Sequence, residues 1–343
     1  MAGKKRLRKI QLAAEVTPGT AVTTATSTWL GTGTLEDMSE HVFPEEDIGL
    51  MGGRDRSFVP LTGGLLTMDA VPATFEQIDY IHNAGITYSA GTRDGVAADG
   101  YIRTHAFPTT SQYVLGGSGT PKTYTLQGGD DQQGEYAPFG FVSEYEMSGK
   151  FGESWMVSAK WPTRTIVKQA LTGSIALVTP EEMLFGKTKL FIDAVGGTLG
   201  STQVSQTLLE ASLKVKTGWL AYYTADGRLD FVSIEQSGEP QMEITLDLTY
   251  RHNSSAVAEK DAWIAGTSRQ LQLLIEGSTF ANAGTVYSKK THVINLAGRY
   301  EKFNALEDVD GTDVVKCTFR ARYNSTAALF ASHINVNALS ALP

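Results

Sequence analysis

Cysteine is almost missing from this 343-residue chain, which carries only Cys317, so an internal disulfide and any multi-cysteine metal site are excluded. No apolar run approaches the ~18 residues that a membrane-crossing helix needs. Charged residues make up only 19%, and 37 acidic against 29 basic residues leave a net charge of −8. Duplex binding is driven by clustered Lys and Arg, so this balance argues against a broad phosphate-gripping surface. Catalytic signatures are lacking as well. The six histidines (His41, His82, His105, His252, His292, His333) show none of the paired spacings of a zinc site, and His82, at the end of a helix, reads as structural. No serine sits in a G-x-S-x-G elbow, and Gly116-Gly117-Ser118-Gly119-Thr120-Pro121-Lys122 lacks phosphate-loop spacing and reads as a turn. The expectation is a non-enzyme with no cofactor, no metal and no catalytic residue.

Glycine is plentiful (35 residues), and the hydrophobic share of 41% suits a folded chain. Alternation dominates. Met242, Ile244, Leu246, Leu248 and Tyr250 share one side, with Glu243, Thr245, Asp247, Thr249 and Arg251 on the other, as in a strand with one buried and one wet face. Phe141 to Met147, Trp155 to Trp161 and Val315 to Tyr323 repeat the pattern, which makes Cys317 a small core hydrophobe. Two segments carry helical spacing, Thr74 to Ala84 before Gly85 and Ser254 to Ala265 before Gly266, and Thr179 to Met183 opens like a helix start.

The length is about twice the usual ~150 residues of one domain, and the halves echo each other. Leu66-Thr67-Met68-Asp69 matches Ile244-Thr245-Leu246-Asp247. Ala84-Gly85 matches Ala265-Gly266. Tyr124 to Gly128 resembles Leu273 to Gly277, and Met147 to Lys150 resembles Leu296 to Arg299. The pairs occur in the same order, which predicts a duplication with a boundary near Gln169 to Pro180. The expected fold class is mainly β: two tandem β-sandwich or barrel domains, 1–172 and 173–343, each with one flanking α-helix. The first half carries an extra Gly/Thr/Ser-rich stretch, about Ile86 to Lys122.

Several features have two readings. Lys4, Lys5, Arg6, Arg8 and Lys9 form a basic arm; the polar stretch that follows is too short for an export signal. The remainder then holds 24 basic against 37 acidic residues, net −13. The arm is either a solvated tail or a segment that docks on an acidic surface of another subunit. Asp308-Val309-Asp310-Gly311-Thr312-Asp313 partly matches a calcium loop but lacks the later glutamate, and Asp-Gly between alternating segments reads as a hairpin turn. Asp130-Asp131 reads as a turn too. Glu144 and Glu146 share a strand face and read as solvated rather than as a catalytic pair. Trp29, Trp155, Trp161, Trp219 and Trp263 are core residues by default, or else a sugar-stacking surface. The sequons at Asn253 and Asn324 carry little weight without an export signal.

Specific stretches look familiar. Leu12-Ala13-Ala14-Glu15-Val16-Thr17-Pro18-Gly19-Thr20-Ala21-Val22 is similar to the opening of tail tube proteins of long-tailed, non-contractile (siphovirus-type) bacteriophages. Tyr124 to Asp131, the turn Ser148 to Trp155, and Val157 to Trp161 resemble that family's closing hairpin. Leu184 to Thr202, with Lys189-Leu190-Phe191-Ile192-Asp193, resembles the segment that opens its later strands, and Asp226-Gly227-Arg228 and the Ile244 to Tyr250 strand continue the likeness.

The resemblance implies a structural virion protein that self-assembles into stacked rings, the hollow tail tube through which the genome passes. Most members have one domain and form hexameric rings; two domains in one chain imply a trimeric ring with pseudo-sixfold symmetry, or else one tube domain plus a decorating domain. The implied partners are further copies of the chain, the tape-measure protein, the tail terminator and tail-tip proteins. DNA is a transient, non-specific occupant of the lumen, and no membrane is involved. The implied location is the virion tail, assembled in the host cytoplasm. An acidic lining would repel phosphates, so Asp69, Glu144, Glu146, Glu243 and Asp247 are candidates for the lumen, with an outer solvated surface as the other reading. The segment Met38 to Gly63, with Phe43, Glu45, Glu46, Arg54, Arg56 and Phe58, is a candidate loop to the next ring. The alternative is a carbohydrate-binding or adhesin-type tandem β-sandwich with exposed tryptophans.

Overall fold

The computed structural model describes residues 4–108, 120–236 and 242–342. The structure is mainly β. In the first half the strands are β1 (Lys9–Ala14), β2 (Ser27–Thr28), β3 (Gly33–Asp37), β4 (Gly64–Pro72), β5 (Thr92–Arg93), β6 (Tyr101–Ala106), β7 (Tyr124–Gly129), β8 (Gly134–Gly140), β9 (Glu144–Lys150), β10 (Met156–Thr163) and β11 (Val167–Lys168). The second half adds β12 (Thr188–Ala194), β13 (Leu208–Lys216), β14 (Trp219–Tyr222), β15 (Ser233–Gln236), β16 (Glu243–Arg251), β17 (Arg269–Thr279), β18 (Lys289–Val309), β19 (Thr312–Ala321) and β20 (Ala331–Asn337). Helix α1 (Ile78–Gly85) follows β4, and α2 (Ser254–Ile264) follows β16. Among the described residues no helix is long and apolar enough to cross a membrane.

The two halves, termed the first and second repeat, have parallel strand orders. The first repeat places its strands in the spatial order β3-β4-β10-β9, and the second in the order β13-β16-β19-β18. In each, the second strand leads into a helix and a hairpin returns beside it. The cover sheets match too: β1-β7-β8-β11 in the first repeat parallels β12-β17-β18-β20 in the second. Strand β18 does the work of both β8 and β9. Its Thr291–Leu296 stretch pairs with β20 and its Gly298–Val309 stretch with β19, with register shifts at Tyr300/Lys302 and Phe303/Leu306. Such shifts bend a strand, which lets one element pass from one sheet to the other.

The repeats are not separate bodies. β9 pairs with β13 from Glu144↔Lys216 to Lys150↔Glu210, which sets eight strands, β3 to β18, side by side in one shared part of a thirteen-stranded sheet. β6, from the extra stretch of the first half, pairs with β20 and extends the second cover sheet. A single apolar cluster runs through both halves, from Leu12, Leu66 and Trp161 to Leu246, Leu273 and Phe319. Truncating a fully buried tryptophan such as Trp155 or Trp161 to alanine costs about 3–5 kcal/mol. Residues 169–181, where the boundary was expected, form neither strand nor helix.

Some expectations need correction. α1 does not flank its repeat: all eight of its residues are buried, with the shared sheet on one side and the second cover sheet on the other. It starts at Ile78 rather than Thr74. α2 flanks its repeat as expected, with only Ala256, Glu259 and Ala262 buried. Residues 179–183 form no helix; Glu182 bridges to Thr74 as extended chain. The glycine turn at 116–119 lies outside the described residues, as do the first three residues of the arm.

Local chemistry explains several turns. Asp310 and Gly311 both take positive φ (52° and 76°) in a two-residue turn between β18 and β19, the hairpin reading of the acidic run. Asp130 Oδ1 accepts from Gln132 N and Gln133 N at 2.8 and 3.1 Å, which fixes the β7–β8 turn. Asn253 caps α2 by accepting from Ala256 N at 3.0 Å. Asp193, at the end of β12, accepts from Gly200 N (2.8 Å), Ser201 N (3.2 Å), Ser201 Oγ (2.7 Å) and Thr202 N (2.9 Å). Burial raises its pKa, but these donors outweigh burial and hold the carboxyl below its ordinary value.

Candidate functional site

The shared sheet turns one face to the core and one to solvent. Strand period places Glu144 and Glu146 (β9), Lys214 and Lys216 (β13), Glu243, Thr245 and Asp247 (β16), and Thr318 and Arg320 (β19) on the solvent face, with Thr67 and Lys160 beside them. Asp69 sits two residues beyond Thr67, exposed, where a bulge interrupts the β4–β10 register. The five expected acidic residues therefore share one sheet, and four of them share a continuous band across the junction of the repeats.

The band is not an acidic lining. Lys160 Nζ meets Glu144 Oε1 at 2.6 Å, Lys214 Nζ meets Asp247 Oδ2 at 3.1 Å, and Lys216 Nζ meets Glu243 Oε2 at 3.1 Å. Arg320 reaches Glu243 at 2.7 Å and Glu301 at 3.3 Å. The hydrogen bond from Lys216 holds the Glu243 carboxyl below its ordinary range, and the bond to Asp247 pushes the Lys214 ammonium up. These pairs alternate across neighbouring strands, so the face carries both signs in register. The expected one-sign surface is corrected to a mixed ladder because β13 sets lysines directly opposite the carboxylates of both β9 and β16.

The other expected sites are distinct places. Met38 to Gly63 is largely exposed, pinned by the Val42↔Phe58 bridge and by the Arg56–Glu46 ion pair at 2.6 Å. Phe43, Leu50, Met51 and Phe58 stand in solvent there, with Glu45 and Arg54 nearby in the chain. The basic arm lies against its own chain: residues 5–7 form a single 3-10 turn, and Lys4 N donates to Asp131 Oδ1 at 3.2 Å. The acidic group it meets in its own chain is the β7–β8 turn, where the Gln132 and Gln133 amides, and after them Arg8, favour the ionised form of Asp130. Trp29, Trp155, Trp161 and Trp219 are buried, and Trp263 packs on Phe303.

One cluster has no counterpart in the sequence reading. Four of the six histidines, taken as scattered, meet in the interior. His82 of α1 stacks on His333 of β20 (ring centroids 4.5 Å apart) and on His292 of β18 (5.4 Å), with His105 of β6 at 5.2 Å. All four are fully buried. Both ring nitrogens of His105 face oxygens, Thr87 O at 2.8 Å and Asp79 Oδ1 at 3.2 Å. Asp79 also receives Asn335 Nδ2 and Asn337 Nδ2 at 2.8 and 3.2 Å, with Arg103 Nη1 at 3.7 Å. His333 Nε2 lies 3.0 Å from Tyr145 Oη. Both nitrogens of His82, both of His292 and Nδ1 of His333 have no hydrogen-bond partner. Each such group left unpaired in the interior costs about 1–3 kcal/mol. Burial lowers the pKa of all three rings: His82 and His333 go well below the ordinary value, with the neighbouring imidazoles adding to the effect, and His292 goes to about 4 although Asp79 and Asn335 pull it upward.

Comparison with known proteins finds no matching family model and no matching curated sequence.

Proposed function

We propose that this chain is a ring-forming structural protein of a phage-type tail tube, whose copies join edge to edge and stack into a hollow conduit. One observation carries the reading. Inside the chain, the last strand of the first repeat's half-sheet (β9) pairs with the first strand of the second (β13). The equivalent strands at the outer ends, β3 and the 299–309 stretch of β18, each pair on one side only among the described residues. A second copy that repeats the internal junction would join β18 of one chain to β3 of the next. Such head-to-tail contacts close into rings when the rotation fits. Unprotected sheet edges otherwise invite unwanted pairing.

The helices support the same reading. The second repeat's cover sheet roofs α1, whereas α2 keeps Val257 and Ile264 in solvent. Under the repeat symmetry the neighbour's first cover sheet would roof α2. Three chains would then give a pseudo-sixfold ring, with the mixed-charge face toward the bore. Every cation on that face named above already holds a carboxylate, so passing phosphates meet no free cationic grip. The adhesin alternative needs exposed tryptophans, and four of the five are buried.

Negative-stain electron microscopy across a concentration series tests the proposal, with hydrogen exchange before and after assembly. Hollow tubes of uniform bore, three chains per ring, and newly slowed exchange in 299–309 and 33–37 are expected. Monomers at every concentration, or assemblies that leave both edges exchanging fast, would count against it.

A further inference from the structure

We propose that His82, His292 and His333 form a buried site for one divalent first-row transition-metal ion of the Zn2+ type, which ties the two repeats together. One ring nitrogen from each residue lies within 4.8 Å of the other two. A tetrahedral ion with bonds of about 2.1 Å holds its ligand atoms about 3.4 Å apart, so ring rotation and shifts of about an ångström close the set. The ring centroids lie 4.5, 5.4 and 5.7 Å apart with the rings stacked, so the rings are close enough to share one ion but must turn to aim a nitrogen each at it.

The unpartnered atoms point to a ligand. Five buried imidazole nitrogens on these three rings have nothing to bond. An ion would take one lone pair from each ring and leave one N–H per ring to be placed. The surroundings offer acceptors for two of them. With Nε2–H of His333 donating to Tyr145 Oη, Nδ1 is turned to the ion. Asn335, the cross-strand partner of His292, keeps Oδ1 without a hydrogen bond. His105 and Asp79 are excluded as ligands in this arrangement, because the nitrogens of His105 and the oxygens of Asp79 are already engaged. Asp79 instead contributes a nearby negative charge, shared with Arg103.

The donor set selects the ion. Three neutral nitrogens with no thiolate suit Zn2+, Co2+, Ni2+ or Cu2+, whereas Mg2+ and Ca2+ require oxygen ligands. Three protein ligands leave a fourth position for water. His82 comes from the first repeat and the other two from the second, so the ion would act as a cross-link between distant parts of the chain.

The test uses the untagged full chain expressed with Zn2+ in the medium, with metal content read by mass spectrometry. One Zn2+ per chain is expected, retained by a variant lacking the outer histidines (His41→Ala, His252→Ala) and lost in His292→Leu. Protein expressed with Co2+ instead should show the visible bands of a tetrahedral nitrogen-ligated ion, and the Zn2+-loaded chain should melt several degrees higher than chain made under chelation. If His292→Leu fails to fold, His333→Gln replaces it. A wild-type metal content no higher than the core variant's, or metal that disappears with His41 and His252, overturns the proposal.

Discussion

Ser212 Oγ donates to Glu146 Oε1 at 2.8 Å across the β9–β13 pair, which joins the two halves of the shared sheet. The bond lies among ion pairs of the same kind on either side, with Glu144 held by Lys160 on β10 and Asp247 by Lys214 on β13. The junction is therefore an ordinary stretch of sheet rather than a linker contact. What is stable inside the chain is a template for what can form between chains.

That template predicts the effect of a proline on the free edge. Met38 N donates to Gly63 O and Asp69 N to Thr32 O, so the even-numbered residues of β3 bond to β4 and Leu35 turns its amide outward. Leu35→Pro should remove one edge donor while the β3–β4 bonds remain. Circular dichroism should stay native, while rings and tubes disappear in electron micrographs. Tubes of normal length from this variant would show that β3 is not an assembly edge.

Stacking should depend on the exposed loop. Removing residues 43–60 takes away Phe43, Leu50, Met51 and Phe58, which bury little against their own chain. The expected product is a folded protein with an unchanged melting temperature that forms single rings but no tubes. Sedimentation velocity would separate the two, and full-length tubes would refute the role.

Charge on the solvent face should govern passage through the bore. Asp69→Lys with Asp247→Lys adds two cations and frees Lys214 from its partner, so a face without free cations gains a grip for phosphates. Virions carrying both changes should eject their genome more slowly, and more so at low salt. Ejection at the unaltered rate would put this face elsewhere than the lumen.

The Asp193 turn gives a stability prediction with a defined sign. Its carboxyl has a depressed pKa, so its contribution is present above the unfolded value of about 3.9 and is lost as pH falls through the folded value. Asp193→Asn should cost about 1–3 kcal/mol in urea denaturation at pH 7. The gap to wild type should narrow near pH 3; a constant gap would mean that shape, not charge, holds the turn.

Alternation made the shared sheet legible. β16, β10 and β19 lie where period two puts them, and the buried side of each meets the same core, Cys317 included. α2 was legible in full because an exposed helix keeps its cap and its stop. α1 was legible as a helix but not in its setting, since Asp79, His82 and Asn83 look like a polar face when no partner is known. The histidine cluster had no local signal at all: residues 82, 292 and 333 meet only because β18 and β20 pack over α1, and His105 joins them through the pairing of β6 with β20. Sheet partners of that kind are set by packing of the whole chain rather than by any window of sequence. The charge of the solvent face failed for the same reason, because the lysines of β13 count only once their neighbours are known.

The pairing of β6 with β20 has a consequence for biosynthesis. During translation α1 and β6 emerge first, and the strands that cover them, β18 and β20, follow only from residue 289 onward. Until then helix α1, with His82 and Asp79 on it, lacks its roof, and β6 lacks its partner. A partly folded chain with that surface open is the kind of intermediate that chaperones guard.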